Sequence, residues 1–66
     1  MLRTGHLYDC HGHTTHTFVL EIDGRVTVTF PGGHAATVDP TARRCHTPGF
    51  AIPDALWSDI CAFARP

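Results

Sequence analysis

The chain has 66 residues, of which 42% are hydrophobic, with a formal net charge of −1. That length supports one small domain, residues 1–66, whose core supplies only about 3–5 kcal/mol, so a metal, a disulfide or a partner subunit is a common supplement. No apolar run approaches the roughly 20 residues of a membrane span, and no apolar leader precedes His6 and Asp9. A cytoplasmic protein is expected. The five cations are all Arg, scattered except for Arg43–Arg44. The clustered positive charge of a nucleic-acid binder is missing. The lack of Lys, Asn and Gln suits a GC-rich genome, such as that of an actinobacterium or its phage.

In chain order, the segment from His6 to Cys10 reads as a short strand broken near Gly12. Residues 16–30 carry the clearest pattern. Phe18, Leu20 and Ile22 alternate with Thr17, Val19 and Glu21, and Val26, Val28 and Phe30 alternate with Arg25, Thr27 and Thr29. Both runs have the period of a half-buried strand. Asp23–Gly24 between them is a hairpin signal. A two-residue loop would pair Leu20 with Thr27 and throw the apolar faces out of phase. A three-residue loop, Ile22–Asp23–Gly24, pairs Leu20 with Val26 and Phe18 with Val28. It sets Glu21 across from Arg25 and needs Gly24 in the left-handed region.

Pro31–Gly32–Gly33 is a turn, and Ala35 to Val38 a further short strand. Asp39–Pro40 has the form of a cap followed by a first helical position, which allows one helical turn through Thr41, Ala42 and Arg43. Residues 53–64 read as a helix. Pro53 and Asp54 suit its start, and Leu56, Ile60 and Phe63 share one face with Trp57 and Ala64 beside them. The fold class is therefore α+β, a small antiparallel sheet of two to four strands packed against one C-terminal helix.

The unusual component is His, six residues in all. His6, His11, His13 and His16 lie close together in sequence, with Cys10 among them. His is the commonest metal ligand and the usual general base near neutral pH. An odd Cys count (Cys10, Cys45 and Cys61) in a chain without a leader argues against a disulfide scaffold. A structural zinc needs a tetrahedron of N or S ligands. Cys10 and His13 form the first candidate pair, with Gly12 permitting the tight turn between them. Cys45 and His46 form the second, with His34 or Cys61 as replacements for His46. Neither pair repeats the spacing of a finger or ribbon. The alternative is surface His and buried free Cys.

Two function classes follow. The first is a small non-enzymatic interaction or regulatory protein, stabilised by zinc, with a protein partner or a homodimer. It would bind through an exposed hairpin edge or an open sheet face carrying Thr17, Val19, Thr27 and Thr29. Arg43, Arg44 and Trp57 are its candidate partner-binding residues, although core packing is the alternative for Trp57. The second class is a metal-dependent or thiol enzyme, or a subunit of one, in which a Cys next to a His is activated. A metal-free protein with surface His is a third reading.

Overall fold

The structure, a computed structural model, describes residues 2–65. Five strands and one helix follow one another: β1 (Arg3–Tyr8), β2 (Thr14–Leu20), β3 (Val26–Thr29), β4 (Ala35–Asp39), β5 (Arg44–Cys45) and α1 (Asp54–Ala64). The strands form one antiparallel meander in the order β1-β2-β3-β4-β5. The α+β architecture expected from the periodicity is present, with one strand more than expected. β1 also begins earlier than the His6–Cys10 estimate and ends at Tyr8.

The central hairpin has the three-residue loop. Leu20 pairs with Val26 and Phe18 with Val28. The Glu21 amide donates to the Arg25 carbonyl (2.9 Å), the Gly24 amide donates to the Glu21 carbonyl (3.1 Å), and Gly24 has φ +88°. This is a turn closed by a left-handed residue, where a side chain is strained. The same pair of bonds recurs in the other two loops at this spacing. Asp9 and His13 are bridged at 2.9 Å with Gly12 bonded back to Asp9, and Phe30 and His34 at 2.6 Å with Gly33 bonded back to Phe30. One turn design thus drives three successive chain reversals.

The fourth reversal differs. Asp39 Oδ1 accepts the amides of Thr41 (3.0 Å) and Ala42 (3.3 Å), which is the capping role read from Asp39–Pro40. Residues 40–43 turn without becoming a helix. Arg43, at φ 50°, directs the chain back to pair Arg44 with Asp39. The helical turn expected through Thr41, Ala42 and Arg43 is therefore a hairpin loop, because the left-handed residue reverses the chain before a second turn can add to the first.

Helix α1 lies on one face of the sheet. Phe18, Val26, Val28 and Val38 from the strands meet Leu56, Trp57 and Ile60 from the helix, with Leu7, Leu20, Phe30, Ile52 and Phe63 around them. Each such side chain is worth about 1.5–3 kcal/mol when fully buried. Pro53 precedes the helix at φ −63°, the angle its ring imposes. The Trp57 amide donates to the Pro53 carbonyl at 3.0 Å. The far end is tied to β1 by Arg3, whose guanidinium donates to the Arg65 carbonyl at 2.6 Å and lies 5.2 Å from the Phe63 ring centre.

Candidate functional site

Because Phe18, Val26, Val28 and Val38 point toward the helix, their neighbours point the other way. Register aligns them in rows. His6, Thr17, Thr29 and Ala35 form one row, and Thr4, Val19, Thr27 and Thr37 the next. The open face is thus largely β-branched and uncharged, with His6 Nδ1 and Thr17 Oγ1 3.3 Å apart. Charge enters along one end, where Glu21 lies across from Arg25 and Asp39 pairs with Arg44. Rotamer-restricted Thr and Val lose little freedom when covered, which favours contact with another rigid surface.

The two sheet edges differ. β5 is two residues long. Beyond it the His46 amide donates to the Thr37 carbonyl at 2.8 Å, and the Thr47 hydroxyl accepts the Thr37 amide at 3.0 Å. A short, side-chain-sealed edge resists further pairing. β1 is six residues long. The Glu21–Arg25 bond assigns Thr17, Val19 and Glu21 to the β2–β3 ladder. Phe18 and Leu20 therefore bond to Gly5 and Arg3, and the alternation turns the His6 and Tyr8 main chain outward. Leu2 (64% exposed) and Tyr8 (62%) flank this edge as exposed apolar side chains.

The expected metal ligands are not brought together. Cys10 and His13 are both exposed in the loop between β1 and β2. That loop is held by Asp9, whose Oδ1 accepts the His11 and His13 amides, both at 2.9 Å. His13 Nδ1 lies 3.8 Å from Asp9 Oδ2. The Cys-x-x-His turn is thus closed by a carboxylate and a glycine. Cys45 and His46 lie at the opposite edge of the sheet, three strand spacings or about 14 Å from β2, whereas zinc bonds span about 2.0–2.3 Å. Among the described residues no three His, Cys, Asp or Glu side chains form a group that could hold a metal.

The thiols also have other partners. Cys45 Sγ donates to the Thr47 carbonyl at 3.3 Å, and Cys61 Sγ to the Pro40 carbonyl at 3.5 Å. Arg43, in the β4–β5 turn, and Arg44, the first residue of β5, are both exposed. Trp57 is only 7% exposed and belongs to the core, so it offers no surface anchor.

Sequence reasoning did not reveal an apolar groove of about 560 Å³ between the β1–β2 end of the sheet and α1. Its lining is drawn from distant parts of the chain, and no local spacing marks it. No protein-family model, curated protein or solved structure matches this chain.

Proposed function

We propose that the protein is a small non-enzymatic interaction protein that assembles through the outer edge of β1, with a second copy of itself as the first partner. The supporting observation is the contrast between the edges: β5 is short and sealed, while β1 is long, directs main-chain groups outward and has apolar side chains at both ends. Antiparallel pairing of two β1 strands about a two-fold axis extends the sheet to ten strands. It keeps both helices on one side and joins the two threonine-rich faces into a single surface. One such face covers only about 300 Å² at strand spacings of about 4.8 Å, below the roughly 800 Å² per partner of a standard interface. Doubling it to about 600 Å² supplies a surface at the lower end of the specific-interface range, about 1,200 Å² in total, on which a further protein partner can dock.

Sedimentation equilibrium across a dilution series tests this reading, with His6→Pro as the companion variant. Proline at an outward-facing edge position leaves the main-chain bonds to β2 in place and removes a main-chain donor that only an incoming strand would use. The expected result is a concentration-dependent dimer for the parent and a folded monomer for H6P. A parent that is monomeric throughout, or an H6P variant that dimerises equally well, overturns the assignment.

A further inference from the structure

The groove lies on the helix side of the sheet, away from the threonine-rich face. Its volume of about 560 Å³ is within the range of small-molecule sites, about 300–1,000 Å³. Leu7, Phe30 and Leu56 supply apolar walls, with His16 on the sheet side and Asp59 on the helix side. The Phe30 ring is fixed from two directions. It stacks on Phe50 at 5.2 Å between centres and meets the His16 ring in a T-shaped arrangement at 5.3 Å, 74° between planes. His16 is oriented in turn, with Nδ1 3.2 Å from Thr15 Oγ1. The platform is therefore preorganised, which lowers the cost of binding.

Among the described residues that line the groove, Asp59 is the one formally charged side chain, and it makes no ion pair with another of them. A carboxylate and an aromatic platform that line one groove are complementary to a cation attached to an apolar body, since the ring face and the carboxylate both attract positive charge. We propose that this groove binds a small aromatic amine, its ring against Phe30 and Leu56 and its ammonium directed at Asp59.

The test is a titration followed by amide NMR at neutral pH and constant ionic strength. It uses 2-phenylethylamine, its neutral counterpart 2-phenylethanol and the anion 3-phenylpropionate. The amine is expected to shift the amides of His16, Phe30, Leu56 and Asp59. Its affinity should exceed that of the alcohol by about fivefold, the size of a partly exposed charge contact, and the anion should bind most weakly. Asp59→Asn should bring amine and alcohol to the same affinity without changing the melting temperature. Ala55→Trp, which fills the groove from an exposed helix position, should abolish binding of both. Shifts outside the groove, no preference for the amine, or a preference that survives in D59N would each overturn the proposal.

Discussion

Replacing Gly5 by Ala probes the way helix and sheet fit at the C-terminal end of α1. Gly5 pairs with Phe18 in the middle of β1, and a Cβ added there would lie 2.7 Å from Phe63 Cε1 and 2.8 Å from Cδ1. Carbon atoms pack at about 3.5–4.0 Å, so the ring must withdraw by about 1 Å. It cannot do so freely, because Phe18 lies 5.5 Å away between ring centres and the Arg3 guanidinium covers the same ring. Overpacking of this kind costs about 1–3 kcal/mol. The gain from replacing a strand glycine, about 0.5–1 kcal/mol, offsets part of that. The expected net loss is about 1 kcal/mol, or a fall of roughly 4–8 °C in melting temperature for a domain of this size. Thermal denaturation followed by circular dichroism measures it. A double-mutant cycle with Phe63→Ala assigns the cause, since G5A should become neutral or stabilising once the ring is gone. A rise in melting temperature for G5A in the parent would refute the steric argument.

The turns and core make further predictions. Gly24→Val should lose about 1–2 kcal/mol by forcing a β-branched residue into the left-handed region. Nothing lies within 4 Å of its added Cβ, so Gly24→Asn should recover part of the loss in urea denaturation. Arg43→Gly should gain about 0.5 kcal/mol, because relief of the left-handed cost of about 1–2 kcal/mol exceeds the entropic cost of glycine; a lower urea midpoint would contradict this. Ile60→Ala removes a side chain with 0% exposure and should cost about 2–5 kcal/mol. That is comparable to the whole core contribution, so the variant should be largely unfolded by circular dichroism at body temperature. Cys10→Ser, at an exposed position, should stay within about 0.5 kcal/mol of the parent. A loss of several kcal/mol would instead mark Cys10 as a ligand of a structural metal.

The central hairpin was legible because its two apolar runs permit one register. A slip of one residue would turn Phe18 and Val28 toward solvent, and the loop length that avoids this also positions Gly24 correctly. Helix α1 was legible for the same reason, since Leu56 and Ile60 share a face at helical spacing. Gly12 was legible as a break after β1 and as the residue that permits a tight turn before His13, and it holds that place at φ +81°; its kinship with Gly24 was not legible from either position alone. The repeated signal was present, a glycine at the fourth position of Asp9–His13, Glu21–Arg25 and Phe30–His34. β5 carried no periodicity because two residues cannot show one. It exists through hydrogen bonds to β4 that only the folded chain supplies.

The sequence by itself determined what depends on nearest neighbours and on the phase of apolar residues: the hairpin register, the helix and its buried face, and the α+β class. Tertiary structure alone decided which groups become neighbours across the sheet. It placed Cys10 and Cys45 near opposite edges, drew Trp57 into the core, sealed β5 while leaving β1 open, and set Asp59 across a groove from His16 and Phe30. Local propensity and periodicity act over a few residues, whereas strand order and helix placement follow from burying the whole apolar surface at once.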